Sequence, residues 1–98
     1  MALDSKQRQY LKGLAHSLPP VAIIGQKGAT DNVFSEIERN LAHHELIKVK
    51  VRCDDQTELR EFVNAIAEKC DAELVQVIGH IVVLYKQNNE KPEIKLPR

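Results

Sequence analysis

The sequence predicts a single α/β domain of order α-β-α-β-α-β-β, with a four-stranded mixed sheet. Three observations carry this expectation. The chain has 98 residues, enough for one core and too few for two. It is 43% apolar and 29% charged, the composition of an ordinary globular protein. Its apolar residues alternate between helical and strand periods along the chain.

The first helix is expected over residues 5–18, where Tyr10, Leu11, Leu14, Ala15 and Leu18 share one face and Asp4 with Gln7 forms an N-terminal capping box. Gly13 within it costs about 1 kcal/mol relative to Ala. Pro19 and Pro20 are expected to end it. Val21 to Ile24 is a short apolar run between Pro-Pro and Gly, the pattern of a strand buried on both faces. After Gly25-Gln26-Lys27-Gly28, Thr30 or Asp31 can cap a second helix whose apolar stripe is Val33, Phe34, Ile37 and Leu41, ending near His43 and His44.

From Glu45 the period changes to two. Ile47, Val49, Val51 and Cys53 fall on one face, and Lys48, Lys50 and Arg52 on the other, a half-exposed basic strand. Asp55 with Glu58 offers another box before the clearest amphipathic helix, built on Leu59, Phe62, Val63, Ile66, Ala67 and Cys70. Leu74 to Ile78 and Ile81 to Tyr85 flank Gly79-His80, a two-residue connection suited to a type II′ hairpin. Right-handed crossovers through the second and third helices make the strands they join parallel, and the hairpin adds an antiparallel strand. The domain is expected to occupy residues 1–87, with 88–98 as a mobile tail holding Pro92 and Pro97.

Net charge is zero, from 14 basic and 14 acidic residues, but it is unevenly spread. Residues 1–52 carry eight Lys/Arg against five Asp/Glu, and residues 53–98 six against nine. Between Asp54 and Glu73, seven acids accompany only Arg60 and Lys69. One surface is therefore expected to repel polyanions and another to attract them.

Several chemistries are not expected. No apolar run approaches the ~18 residues of a membrane span, and the start has no signal-peptide core, so a cytoplasmic protein with no membrane partner is expected. Cys53 and Cys70 are not a CxxC pair and read as reduced core thiols. His43-His44-Glu45 lacks zinc spacing, and Asp54 and Asp55 precede a helix where capping is the simpler role, so no metal or cofactor is expected. Ser5, Ser17 and Ser35 have no matched base, which leaves no catalytic residue.

What remains is a candidate anion site. In the GQKG loop, Gly25 and Gly28 permit close backbone approach at a helix start, and Lys27 adds a cation beside the helix dipole. The same device clamps a nucleic-acid backbone in KH domains. The alternative is a tight strand-to-helix turn with no ligand. Arg8, Lys12 and His16 form a stripe on the first helix, and with Lys48, Lys50 and Arg52 they offer further cations to one phosphate-tracking surface. Taken singly, each set also fits a merely solvated face. Tyr10, Phe34, Phe62 and Tyr85 fall mostly on apolar stripes, which disfavours an aromatic platform for bases.

The run KQRQYLKGLAHSLPPVAIIGQKG, the HELIKVKV segment from His44 to Val51, and GHIVVLYK from Gly79 to Lys86 together resemble a stand-alone bacterial CRM domain of the YhbY family. The resemblance covers about residues 3–87. It implies a fold similar to the C-terminal domain of translation initiation factor three, and a non-enzymatic RNA-binding module associated with precursors of the large ribosomal subunit. Related domains of plant organelles serve group II intron splicing. The implied partners are ribosomal RNA or the pre-large-subunit particle, with ribosomal proteins as further contacts. The family's GxxG loop falls on Gly25, Gln26, Lys27 and Gly28, where neutral Gln26 departs from the two basic middle residues common in that loop. A different class of reading makes the protein an interaction factor that docks on ribosomal proteins through the acidic third helix.

Overall fold

Each helix starts on a side chain that satisfies its first free amides. The computed structural model describes residues 3–25, 30–52, 55–88, 90, 92 and 94–97. Helix α1 spans Ser5–His16. The Asp4 carboxylate accepts the Gln7 N–H at 2.7 Å and Gln7 Oε1 accepts the Asp4 N–H at 3.2 Å, the reciprocal box read in the sequence. Gly13 does not interrupt the helix, which ends three residues before Pro19 with Ser17 as its cap. Helix α2, Asp31–His44, is capped by Thr30, whose hydroxyl accepts the Val33 N–H. Helix α3, Gln56–Cys70, is capped by Asp55 through the Thr57 N–H, and Asp71 closes it in the left-handed conformation.

The strands are β1 (Ala22–Ile24), β2 (Leu46–Val51), β3 (Glu73–Ile78) and β4 (Ile81–Tyr85), in spatial order β1-β2-β4-β3. β1 and β2 are parallel, and β4 runs antiparallel to both β2 and β3. The expected α-β-α-β-α-β-β order and mixed sheet are present. Gly79 has φ +57° at the first turn position of the β3–β4 hairpin while His80 keeps negative φ, which is the II′ pattern.

Two apolar clusters lie on opposite faces of the sheet. On one, α2 and α3 pack through Phe34, Ile37, Leu41, Phe62, Val63 and Ile66 against Ile24, Ile47, Val49, Val51, Val82 and Leu84. The Phe34 and Phe62 rings stack with centroids 6.5 Å apart. On the other face, α1 packs through Leu11 and Ala15 over Leu46, Val75, Val83 and Tyr85. Burying each large aliphatic side chain contributes roughly 1.5–3 kcal/mol. A register shift between Leu74 and Gln76 lets Val75 join the α1 cluster while Leu74 packs against the other.

Two strand expectations are corrected. β1 is not buried on both faces: it is an edge strand, and Ile23, pointing to the α1 side beyond the end of that helix, is 61% exposed. The basic strand β2 is central and not simply half-exposed, because α1 lies across part of its Lys48 face and leaves Lys48 half-buried. Cys70 is buried as expected, and Cys53 lies outside the described residues.

The segment after β4 makes defined contacts. Glu45, 1% exposed and at φ +59° just after α2, accepts the Asn88 N–H at 2.7 Å and the Ile94 N–H at 2.9 Å with its two carboxylate oxygens. Its carbonyl accepts the Lys86 N–H at 2.8 Å. Ile94 and Leu96 pack with Leu3 on the α1 cluster, and Gln7 Nε2 donates to the Pro97 carbonyl. Part of the segment read as a mobile tail is thus held on the domain.

Candidate nucleic-acid interface

Side chains on one sheet face recur about every second residue, ~6.6 Å apart along a strand, so a helix ~10 Å across covers about two such rows. α1 does this. It covers the row containing Leu46 and Tyr85 and the row containing Lys48 and Val83, paired across β2 and β4. The next row lies beyond it. Register joins Ile23 to Lys50, Lys50 to Ile81, and Ile81 to Ile78, one residue from each strand, all on the α1 side. Ile23 and Ile78 are 61% and 54% exposed, Lys50 is exposed, and Ile81 is half-buried.

Helical spacing decides which flank of α1 faces this row. Leu11 and Ala15 point into the sheet. On one flank, Leu14 and Ser17 line a cleft with Leu46, His44 and Ile94, at the far end of β2 from Lys50. Arg8, Lys12 and His16 occupy the opposite flank, the one turned toward Lys50. Lys48 sits at the base of this arrangement, its Nζ donating to the His16 carbonyl at 3.3 Å in the last turn of α1. The helix C-terminus is a favourable place for that ammonium.

Arg52 follows β2 and is exposed; its N–H bonds the Ile24 carbonyl at 2.8 Å, which fixes the end of β2 to the end of β1. The Val51 N–H similarly bonds the His80 carbonyl at 2.8 Å, tying in the hairpin. Gly25 leaves β1 at this same edge, exposed, with open space where a Cβ would project. Thus Arg8, Lys12, Lys48, Lys50 and Arg52 share one side of the sheet and one end of it, beside the start of the GxxG loop. Gln26, Lys27 and Gly28 lie outside the described residues.

The other side of the molecule has the opposite character. The outward faces of α2 and α3 expose Asp31, Glu36, Glu38, Glu58, Glu61 and Glu68, with Arg39, Arg60 and Lys69 among them. Lys69 lies 4.0 Å from Asp31 and over the Phe34 ring, so part of its charge is already engaged with α2. Charge is thus segregated by face and not by sequence half, because α2, from the more basic half, lies with α3 on the acidic side of the sheet.

Among the described residues, no group of three or more His, Cys, Asp or Glu could hold a metal ion, and no helix is long and apolar enough to cross a membrane. Asp55 is occupied as the α3 cap. Burial pushes the Cys70 thiol above its ordinary pKa, with Glu38 adding to the effect and Lys86 opposing it. The protonated thiol stands 3.8 Å from the Phe34 carbonyl as a core group. Burial, and secondarily Glu45, also raises Tyr85.

Sequence reasoning found the cations and missed Ile23, Ile78 and Ile81 as their neighbours. The signal was present in the phase of each strand, since Ile23 precedes buried Ile24, and Ile81 precedes buried Val82. Reading it required the register between strands.

The CRS1 / YhbY (CRM) domain family model matches residues 3–86. An "RNA-binding protein" of Haemophilus influenzae is 51% identical over 96 residues, covering 98% of this chain and 96% of that protein. A "Probable RNA-binding protein" of Bacillus subtilis is 36% identical, covering 97% of this chain and 99% of its own length. The solution structure of a Staphylococcus aureus protein proposed to bind RNA superimposes with a TM-score of 0.85 at 38% identity, covering 98% of this chain and all of that one. The fold, the three sequence segments and these matches agree: the chain belongs to the CRS1/YhbY (CRM) domain family.

Proposed function

We propose that this protein is a non-enzymatic, cytoplasmic RNA-binding factor that acts on precursors of the large ribosomal subunit. The observation that carries the RNA-binding reading is the placement of Arg8, Lys12, Lys48, Lys50 and Arg52 around one end of one sheet face, with the acidic faces of α2 and α3 turned away. An elongated polyanion meets cations from a helix and a strand there, while the opposite face repels it. The relatives named as RNA-binding support the same partner. The GxxG sequence, Gly25 to Gly28, offers a phosphate the Lys27 ammonium and, through its glycines, close approach to backbone.

Assignment to large-subunit assembly rests on the family resemblance. The fit is chemical as well: a small module with few cations binds a structured site where neighbouring contacts add to its own. The acidic α2/α3 face is then free to meet basic ribosomal proteins.

Two measurements test this reading. With about four to six phosphate contacts, log affinity for single-stranded RNA should fall against log salt with a slope of roughly −3 to −4. A slope near zero removes the electrostatic mechanism. In cells, cross-linking followed by RNA sequencing should give a sharp set of nucleotides within large-subunit ribosomal RNA. Association with ribosomal particles without RNA cross-links would favour protein docking through α3.

A further inference from the structure

We infer that the open row Ile23–Lys50–Ile81–Ile78 is a docking strip for the unpaired bases of single-stranded RNA, with the surrounding cations holding the adjoining phosphates. This rests on the RNA-binding reading and adds to it the kind of RNA and the part of the nucleotide recognised.

Ile23 and Ile78 are among the most exposed large apolar side chains described, and they share one row across all four strands. The row spans three strand spacings, ~14 Å, with its four side chains standing on one pleated face. A base presents a flat, weakly hydrated surface that prefers such a strip to water. The attached phosphates need cations at the margins, and the strip has them on both sides: Arg8, Lys12 and His16 along the α1 flank, and Arg52 at the outer edge. Lys50, inside the row, reaches a phosphate or a base carbonyl. Paired RNA hides its base faces in the stack, so a duplex can use the cations but not the isoleucines.

Aromatic side chains, the commonest base platforms, are absent from the row. Phe34, Phe62 and Tyr85 are buried, and Tyr10 lies on α1. Aliphatic contact therefore replaces stacking and makes the strip tolerant of base identity. A second copy of the chain fits poorly. A two-fold contact centred on this row would set Lys50 against Lys50, and four side chains supply far less than the ~800 Å² per partner of a stable interface.

The test uses the full chain and two probes of equal phosphate number, a short single-stranded RNA and an RNA duplex. The double variant Ile23→Ser/Ile78→Ser keeps every charge and alters only exposed positions; circular dichroism checks its fold. Its affinity for the single strand should fall about tenfold, its affinity for the duplex should stay within twofold, and the salt slope should not change. Ile23→Leu/Ile78→Leu, which keeps apolar surface, should bind both probes like the wild type. Equal losses on both probes, or none on the single strand, overturn the inference while leaving RNA binding intact. A wild-type chain that binds neither probe overturns both. Loss of a dimer in sedimentation, or loss of ribosome association with RNA affinity retained, would assign the strip to a second copy or to a protein partner.

Discussion

The Lys48 ammonium and the His16 carbonyl, 3.3 Å apart, join the central strand to the last turn of α1. Lys48 thereby both positions the helix and belongs to the basic surface, whereas Lys50, two residues on and exposed, has only the second role. Lys48→Ala should lower stability by about 0.5–1 kcal/mol through loss of a cation at a helix C-terminus. It should also weaken RNA binding. Lys50→Ala should weaken RNA binding and reduce the salt slope by about 0.7 with unchanged stability. Urea melts beside filter binding at several salt concentrations separate the two; equal stability losses would show that the Lys48 contact is not what distinguishes them.

Charge reversal compares the two faces. Lys27→Glu replaces the cation of the GxxG sequence by a carboxylate and should weaken RNA binding at least tenfold, about 1.4 kcal/mol. Glu61→Lys, on the exposed face of α3, should leave it within about twofold, given a Debye length of ~8 Å at physiological salt. The substitutions change net charge by equal and opposite amounts. A large effect of the α3 variant on ribosome association, with none from the loop variant, would move the functional surface to α3.

Glu45→Ala removes the acceptor of two N–H groups, those of Asn88 and Ile94. Bonds to a charged acceptor contribute about 1.5–3 kcal/mol, and the two amides regain water when the segment detaches. A loss of about 2–4 kcal/mol is expected, with faster hydrogen exchange and proteolysis after β4. Unchanged exchange at Asn88 and Ile94 would show that the apolar contacts of Ile94 and Leu96 hold the segment unaided.

Tyr85 is fully buried and its Oη has no hydrogen-bond partner among the described residues. Its pKa is raised, first by burial and then by Glu45. Above the ordinary tyrosine value of ~10, the unfolded chain releases a proton that the folded chain retains, so stability falls as pH rises. Cys70, raised chiefly by burial, begins the same loss nearer the ordinary thiol value of ~8.5. Tyr85→Phe should be neutral or stabilising by up to about 1 kcal/mol at neutral pH, since it removes a buried unsatisfied hydroxyl. It should also flatten the decline above pH ~10 that linkage assigns to this group. Thermal melts across that range provide the check; a destabilised Phe variant at neutral pH would mean the hydroxyl is bonded.

The elements legible in the chain are those whose signal is local. α3 shows its period in Leu59, Phe62, Val63 and Ile66, all buried, and the α1 box is complete within four residues. β1 misled because four apolar residues read alike at the centre and at the edge of a sheet, and only strand order distinguishes them. Glu45 resembled any surface acid, since its partners stand 43 and 49 positions later. The cations of the site were visible, but that Arg8 and Lys12 face Lys50 depends on which side of the sheet α1 takes and how far along the strands it reaches.

β1 has three residues and, among the described residues, no strand beside its outer edge. Such an edge can template the addition of another chain, and the hazard grows with its length. Pro19 and Pro20 limit it on one side: neither has an N–H to offer, and both resist incorporation into a growing ladder. On the other side the chain leaves the sheet at Gly25. The diproline, read at first as a helix stop, acts after α1 has already ended. Its consequence is colloidal: the exposed isoleucine of β1 sits on an edge too short to template a growing ladder, so on that side of the sheet an apolar side chain stays open without an adjoining aggregation-prone strand.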